Sequence, residues 1–315
     1  MEFCVPWIKK YRPKRIEDII LDENMVKYVN IFLQSNSNQH LILTGDSGVG
    51  KTTTVKCLVK QILGENAKER CLKLNADGDR GVKVIASIIP PFCKKTFKTG
   101  VSRIIVLDEA DNTTPKCQYD INCMIKQYSQ DCRFIFICND ITKIIEDIQS
   151  VCCIVRYKKL TEPQVSKYLS YICEEEGLVY SLEALSLLHY VSGGDMRKAI
   201  NDLQKTSFTF PKVVKKNVLA VCNLPDPDSI KEILDHCLKK NDDAFVLLQA
   251  MVDIGYYHID LANGFIHVLT EAEIDERLKI RLVSIVSETK ITLSSGVKSK
   301  LQLYGMLARM IMAID

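Results

Sequence analysis

The chain has 315 residues, enough for two or three domains, and its composition of 47% hydrophobic and 26% charged residues excludes a disordered protein. A formal net charge of +3 is too small to indicate nucleic-acid binding by itself, so any basic surface must be local. No apolar stretch approaches the roughly 18 residues of a membrane span, and no signal-peptide pattern opens the chain. The thirteen cysteines form no Cys-x-x-Cys pair, which favours free thiols in a reducing, intracellular compartment.

The first elements predicted in chain order lead to a phosphate-binding loop. A basic segment at Trp7–Lys14 precedes a helix predicted over 22–33 and a buried strand predicted over 40–44. Gly45–Thr52 then reads Gly-Asp-Ser-Gly-Val-Gly-Lys-Thr, a G-x-x-x-x-G-K-[ST] motif, and a helix is predicted over 53–63. This strand–loop–helix context is the one in which the motif binds phosphates.

The chemistry of this loop follows from its residue types. Glycines allow the backbone N–H groups to surround the phosphates, and the following helix adds partial positive charge at its N-terminus. Lys51 is positioned for the outer phosphates and the Thr52 hydroxyl for Mg²⁺. The sequence therefore predicts a nucleoside triphosphate site.

The next part of the chain predicts the remainder of a parallel sheet. A short strand is predicted over 71–74, followed by a helix over about 82–89 that Pro90-Pro91 should end, and by a basic, loop-like segment over 92–100. The apolar runs at 104–107, 134–138 and 151–155 predict three further buried strands. With the runs at 40–44 and 71–74 they make five predicted strands. Short apolar runs that alternate with helices indicate a parallel sheet covered on both faces.

Polar residues follow four of these strands, and ligands of such sheets bind at the carboxyl ends of the strands. Beside the phosphate loop, the strand ends carry Asn75, Asp108, Glu109 and Asn139. We assign Asp108 to Mg²⁺, Glu109 to orienting and deprotonating an attacking water, and Asn139 to the γ-phosphate or that water. All of these side chains should therefore face one crevice.

The pattern becomes helical after residue 160. Helices are predicted over 162–176, 182–191 and 195–205; Pro225–Asp228 is the clearest linker, and the rest of the chain is helical. Asp195 is a natural N-cap. Arg197 lies in the first turn of its helix, where the helix dipole does not favour a cation, so an anionic partner is indicated.

Five ordered motifs make the chain resemble the small subunits of replication factor C, the clamp-loader family. Trp7–Pro13 resembles that family's W-x-x-K-Y-R-P opening, and Leu74–Gly81 its L-N-A-S-D-E-R-G segment. Asp108–Asp111 resembles its D-E-A-D, Cys138-Asn139 its sensor-1 C-N, and Gly194–Arg197 its sensor-2 G-D-M-R. The resemblance extends from residue 5 to about 205, and the helical tail agrees with the family's collar.

The resemblance implies an α/β fold of three parts. Residues 1–159 are expected to form an AAA+ P-loop ATPase core with a parallel five-stranded sheet between helices. Residues 160–224 are expected to form a helical lid, and 225–315 an all-α collar that joins subunits. An ATPase active within a hetero-oligomer, a pentamer by analogy, is implied, together with ATP and Mg²⁺ as cofactors and no membrane partner.

The implied function is to open a sliding clamp and place it on primer–template DNA during replication, in the nucleus of a eukaryote or at the replication site of a large DNA virus. The residues expected at the nucleotide are Tyr11, Arg12, Gly45, Asp46, Ser47, Gly48, Val49, Gly50, Lys51, Thr52, Thr53, Asn139 and Arg197. Glu109, Lys51, Asn139 and Arg197 are the expected catalytic set, and Thr52 and Asp108 the metal set. Arg80 and Lys83 are expected near DNA, and the lysines at 94, 95 and 98 either contact clamp or DNA or form a solvated loop.

One departure from the family pattern concerns a neighbouring site. The family's S-R-C supplies an arginine finger to the next subunit, whereas this chain reads Ser150-Val151-Cys152. The Arg-Arg pair after the family's D-E-A-D is Asn122-Cys123 here. The hypothesis that follows is a subunit that hydrolyses ATP in its own site and does not complete a neighbour's.

Three alternatives remain open at this point. A small GTPase shares the phosphate loop, but no N-K-x-D guanine motif is present. Another AAA+ DNA-processing ATPase, such as a branch-migration helicase subunit, shares the core motifs. A structural clamp-loader subunit would bind ATP with little turnover.

Overall fold

A computed structural model describes residues 5–34, 39–75, 79–95, 103–297 and 299–314. Within them the chain forms two compact units, Met1–Val213 and Val214–Asp315. The domain boundaries expected from the sequence at 159/160 and 224/225 stay predictions.

A five-stranded parallel sheet forms the centre of the first unit, in the spatial order β2-β3-β4-β1-β5. Its strands are β1 His40–Thr44, β2 Cys71–Asn75, β3 Arg103–Asp108, β4 Cys132–Cys138 and β5 Cys152–Arg156. Because all five are parallel, their carboxyl ends meet at one edge of the sheet, where Thr44 is paired with both Cys138 and Arg156. The predicted α/β fold class is therefore confirmed.

Helices cover both faces of the sheet, as its continuous apolar strands require. The helices of this part are α1 Trp7–Lys10, α2 Glu23–Gln34, α3 Lys51–Leu63, α4 Ala67–Arg70, α5 Asp79–Lys94, α6 Pro115–Tyr128 and α7 Glu146–Val151. Successive residues of one strand face opposite sides: Leu41 and Leu43 pack with α2 and α3, and Ile42 packs with α5 and α6. Burial of both faces fixes the register of the strands, and hence the positions of the polar residues at their ends.

Helix α5 contradicts the expectation that Pro90-Pro91 ends a helix after residue 89. The helix continues through both prolines to Lys94. Ile89, Phe92 and Cys93 are buried in the same core cluster, so packing holds the last turn in place despite the backbone hydrogen bonds that the prolines cannot donate. The segment 92–94, expected to be loop-like, is helical, and 96–102 lies outside the described residues.

Val151 also differs from its predicted position. It is the last residue of α7, and β5 begins one residue later at Cys152. Val151 therefore lies at the amino end of β5, the opposite end from the strand ends that carry the phosphate loop and Asp108.

Three further helices complete the first unit, namely α8 Glu162–Glu175, α9 Leu182–Ser192 and α10 Met196–Thr209. Thr161 is the N-cap of α8 and forms a capping box, in which its backbone N–H donates to Gln164 Oε1 at 3.0 Å. Ser181 and Asp195 are the N-caps of α9 and α10. A short parallel pair, β6 Val179–Tyr180 and β7 Lys212–Val213, joins the ends of this segment.

The second unit is entirely helical within its described residues. Its helices are α11 Lys215–Cys222, α12 Pro227–Leu238, α13 Asp243–Ile254, α14 His258–Glu271, α15 Glu276–Ser294 and α16 Lys300–Met312. One apolar core, with Phe265 and Leu303 fully buried, joins five of them from α12 to α16. The stretch 225–228 predicted as a linker supplies the start of α12, because Asp226 caps the helix and Pro227 opens it.

No helix in the described part of the chain has the length and apolar character needed to cross a lipid bilayer. The cysteines of the described residues are all free thiols.

Candidate nucleotide-binding site

The phosphate loop connects β1 to α3 and depends on glycine at three positions. Gly45, Gly48 and Gly50 have φ values of 144°, 70° and 101°, which are unfavourable for residues with a Cβ atom. Gly50 occupies the N-cap position of α3, so the first turn of that helix directs its free N–H groups at the loop. The loop therefore presents backbone donors where an anion would bind.

Lys51 is buried and its ammonium group contacts three acceptors. Its Nζ donates to the carbonyl oxygen of Gly45, to that of Asp46 at 2.6 Å, and to Asn139 Oδ1 at 2.9 Å. Burial is the main cause that lowers the pKa of Lys51, and the nearby carboxylates oppose this shift. The loop thus holds a desolvated cation beside its own backbone donors, an arrangement suited to a polyanion.

Two oxygen atoms that could ligate a metal ion lie close together beside this lysine. Thr52 Oγ1 lies 3.5 Å from Asp108 Oδ1, although their residues are 56 positions apart in sequence. In the described residues no group of three His, Cys, Asp or Glu side chains could hold a metal alone. Mg²⁺ at nucleotide sites takes one or two protein oxygens and completes its shell with phosphate and water, so a hydroxyl and a carboxylate suit it.

Glu109 follows Asp108 in an unusual backbone conformation. Its φ and ψ of 58° and 41° lie in the left-handed region, one of the few non-glycine cases in the described residues. This turn ends the strand and separates the two carboxylates, while Glu109 still lines the same cavity as the phosphate loop. Residues held in such conformations are frequent at functional sites.

Asn139 is positioned from two sides. Asp111 Oδ2 accepts the backbone N–H of Asn139 at 3.0 Å and that of Asp140 at 3.3 Å, and the Asn139 amide oxygen accepts from Lys51. The last residue of the D-E-A-D segment therefore orients the residue that follows β4.

Helix α10 contacts the phosphate loop directly through its N-cap. Asp195 accepts the backbone N–H groups of Arg197 at 2.8 Å and Lys198 at 3.1 Å, and its other oxygen accepts the Ser47 hydroxyl at 2.6 Å. The Met196 N–H donates to the Gly48 carbonyl at 3.3 Å. One carboxylate thus caps a helix and binds the loop.

Replacing Gly48 with alanine is expected to destabilise the protein more than replacing Gly177 with alanine. Both glycines have a similar positive φ, 70° and 65°, but a Cβ on Gly48 would lie 1.8 Å from Asp195 Oδ1, whereas nothing lies within 4 Å at Gly177. Displacing Asp195 removes an N-cap, which costs about 0.5–2 kcal/mol beyond the shared backbone strain. Chemical denaturation of both variants gives this difference, and equal losses would contradict it.

The N-terminal segment closes another side of the site. Arg12 Nε donates to Thr53 Oγ1 on α3 at 3.1 Å, and the Tyr11 hydroxyl donates to Glu176 at 2.7 Å, just after α8. Burial, and then the hydrogen bond to Glu176, raise the pKa of Tyr11. Trp7 packs edge-on against Tyr11 and against Phe208 of α10. The segment therefore contacts both the core and the helices that follow it.

These elements enclose a cavity of about 310 Å³. Its polar lining comes from the phosphate loop, the acid pair, Asn139 and Arg197; its apolar lining comes from Ile8, Ile19, Ile20, Leu160, Met196 and Ile200. The polar part of this lining can bind phosphates, and the apolar part can contact an aromatic base.

Comparison with known proteins agrees with this geometry. The AAA model (ATPase family associated with various cellular activities) matches residues 41–160, the Rad17 P-loop domain 2–77, and the replication factor C C-terminal domain 225–309. Over the whole chain, 52% of residues are identical to a protein of Acanthamoeba polyphaga mimivirus described as replication factor C small subunit R395, 99% of which is covered. Replication factor C subunit 2 of Arabidopsis thaliana is 35% identical over 97% of this chain and 92% of its own. The chain belongs to the replication factor C small-subunit family.

Structural comparison gives the same fold. The RuvB Holliday junction branch migration motor of Thermotoga maritima has a TM-score of 0.54, covering 72% of this chain and 79% of its own, at 15% identity. An identity this low supports the AAA+ fold alone. The replication factor C resemblance is confirmed by the relatives, and the small-GTPase alternative is excluded by the family. The chain is thus an AAA ATPase that binds nucleotide through its P-loop and functions in DNA replication.

The structure brings most of the predicted site residues to one cavity, but Asn75, which was expected in the same crevice, does not line it. Those that line it are Tyr11, Arg12, Ser47, Gly48, Val49, Gly50, Lys51, Thr52, Thr53, Asp108, Glu109, Asn139 and Arg197. Gly45 and Asp46 lie beside it, where their carbonyl oxygens accept from Lys51. The side chains of Arg80 and Lys83, predicted near DNA, lie outside the described part of the structure. The roles of all these residues stay predictions.

Sequence reasoning missed several residues of this site. Lys73 forms an ion pair with Asp108, with Nζ 2.8 Å from Oδ2, and Tyr168 lines the cavity and donates its hydroxyl to the Tyr11 carbonyl. Asp195 was expected only as an N-cap. No short motif marks these contacts; alternation along β2, which puts Lys73 on the side of Asn75, was the only available signal for the lysine.

Proposed function

We propose that the chain is an ATP-hydrolysing subunit of a sliding-clamp loader, which opens a ring-shaped clamp and places it on primer–template DNA. The observation that supports this most is the single cavity described above. It combines a phosphate loop, two adjacent carboxylates, Asn139 and the first turn of α10 in a chain of the replication factor C family.

ATP is the proposed ligand of this cavity. The N–H groups of the phosphate loop and Lys51 bind its phosphates, while Tyr11, Arg12 and the apolar end of the cavity contact the adenosine. Thr52 and Asp108 hold Mg²⁺, which supplies positive charge to the phosphates when bound. Lys51 exchanges its present carbonyl partners for phosphate oxygens, so the loop is prepared for an anion before ATP arrives.

Hydrolysis requires groups that act on water and on the γ-phosphate. Glu109 is the proposed base that orients and deprotonates the attacking water. Asn139, which is fixed by Asp111 and Lys51, contacts the γ-phosphate or that water. Arg197, in the first turn of α10, stabilises the phosphate charge, and through this contact ATP binding affects the position of the predicted lid, residues 160–224.

The proposed partners are other clamp-loader subunits in a hetero-pentamer, the clamp, and DNA, which Arg80 and Lys83 approach. The exposed position of Val151 suits an interface, and the valine leaves the neighbouring site without an arginine from this chain. We infer that this chain turns over ATP in its own site only, and that its activity depends on the assembly.

The test is the ATPase rate of the purified chain, alone and with its co-purifying subunits, each with and without clamp and primer–template DNA. Stimulation by clamp and DNA together, lost in Lys51→Ala, is expected. Lys60→Ala is the matched control, since Lys60 is an exposed lysine of the same helix that does not line the cavity.

The structural alternative predicts a different result. A stable complex that binds ATP without stimulated turnover would contradict the motor role and show a subunit whose ATP only holds the assembly together. Stimulation by DNA without any clamp requirement would instead favour another AAA+ DNA-processing ATPase.

A further inference from the structure

The two oxygens of the Asp108 carboxylate have different partners. Oδ1 faces Thr52 Oγ1 at 3.5 Å, and Oδ2 lies 2.8 Å from Lys73 Nζ. Lys73 is in the middle of β2, an edge strand, and is paired with Val106, two residues before Asp108 on β3. Its long side chain spans this diagonal between neighbouring strands.

The low exposure of Asp108 means that its ion pair with Lys73 would affect a metal ion bound to the same carboxylate. The Asp108 side chain is only 13% exposed, so little water is available to screen its charge, whereas Lys73 is 44% exposed. A metal between Thr52 and Asp108 would share one carboxylate with an ammonium group, and the two cations would repel each other. An unpaired carboxylate would attract the metal more strongly.

Other lysines lie near Thr52 and Lys73. A second, largely apolar cavity of about 140 Å³ is lined by Thr52, by the stems of Lys56, Lys60 and Lys73, and by apolar residues such as Val106. Burial, followed by the charges of Arg12 and Lys73, lowers the pKa of Lys56. Lys73 is the member of this group that contacts the proposed metal ligand.

We propose that Lys73 is a built-in counter-ion of Asp108 that opposes Mg²⁺ and sets the Mg²⁺ concentration at which the chain binds ATP tightly. The inference rests on the proposed function, because it takes Thr52 and Asp108 as the metal ligands. Without metal, the Lys73 ammonium group balances the charge of the Asp108 carboxylate. With metal, it lowers the affinity of that carboxylate for Mg²⁺.

Binding of a fluorescent ATP analogue, titrated with Mg²⁺ at fixed nucleotide, tests the proposal without requiring turnover. Lys73→Gln should lower the half-saturating Mg²⁺ concentration about three- to tenfold, which is the range of a partly screened charge pair. Lys73→Met, which also removes the charge, should lower this concentration by a similar factor. Lys73→Arg keeps the charge, so its half-saturating Mg²⁺ concentration should stay close to that of the unmodified chain. Lys60 is a nearby lysine that does not pair with Asp108, so Lys60→Gln should change the half-saturating Mg²⁺ concentration less than twofold.

The outcomes separate this inference from the proposed function. If the unmodified chain binds no nucleotide at saturating Mg²⁺, the nucleotide site itself is wrong. If it binds but both neutral variants keep its midpoint, or shift it no more than Lys60→Gln, Lys73 does not oppose the metal. A higher midpoint in the neutral variants would also overturn the proposal, because Lys73 would then support metal binding by orienting Asp108.

Discussion

Replacing Glu109 with glutamine is expected to lower the ATP hydrolysis rate of the assembled complex about 10²- to 10⁴-fold, which is the usual contribution of a general base. ATP affinity should stay close to that of the unmodified chain. Glutamine keeps the length of the side chain and can still hydrogen-bond water, but it cannot take a proton. The phosphate loop, which lies on a different strand end, remains intact.

The measurement is single-turnover hydrolysis together with equilibrium binding of ATP. Glu65→Gln is a suitable control, because the same chemical change falls on an exposed glutamate that does not line the cavity. Equal hydrolysis by the Glu109 variant and the unmodified chain would show that another group activates water. A joint loss of binding and hydrolysis would indicate a structural role at the left-handed turn instead.

Introducing arginine at Val151 is expected to raise ATP hydrolysis at a neighbouring subunit, by up to about 10³-fold if a missing finger limits that site. Val151 is 39% exposed at the end of α7, so a longer side chain can extend into solvent or a partner. Because it precedes β5, it lies at the opposite end of the sheet from the chain's own phosphate loop. Any gain would therefore arise in another subunit.

A double variant identifies where the gain occurs. With Glu109→Gln blocking the chain's own site, Val151→Arg should still raise the ATPase rate of the assembly. Val151→Lys is the control, since it adds charge without the planar fork that contacts phosphate at two points. A gain that disappears in the Glu109 background would contradict a role in a neighbouring site. Arg156 lies at the carboxyl end of β5, paired with Thr44, and so at the opposite end of that strand from Val151.

The parts of the molecule that could be predicted were those fixed by local pattern or by the general rule that the carboxyl ends of parallel strands meet. The strand predicted over 40–44 was found as β1 His40–Thr44, because a buried parallel strand needs a continuous apolar run. Lys51 and Asn139 were expected in one crevice, although 88 positions separate them, since the carboxyl ends of parallel strands meet. Asp195 was correctly predicted as an N-cap from its position before a helix.

The parts that could not be predicted depend on tertiary packing. Proline rules alone end a helix at residue 89, but burial of Phe92 and Cys93 continues α5 for another turn. The ion pair between Lys73 and Asp108 depends on which strands are neighbours and on the reach of one side chain, and neither is encoded by spacing. The Ser47–Asp195 hydrogen bond likewise joins residues 148 positions apart.

That hydrogen bond has a mechanical consequence. Asp195 caps the N-terminus of α10 and also accepts the Ser47 hydroxyl of the phosphate loop. The Met196 N–H makes a second hydrogen bond to the loop, at the Gly48 carbonyl. A rotation of α10 must either break both attachments or pull residues 47 and 48 with it. While both hydrogen bonds are intact, a change in the tilt of α10 therefore also moves residues 47 and 48, and it alters the shape of the phosphate loop without acting through the sheet.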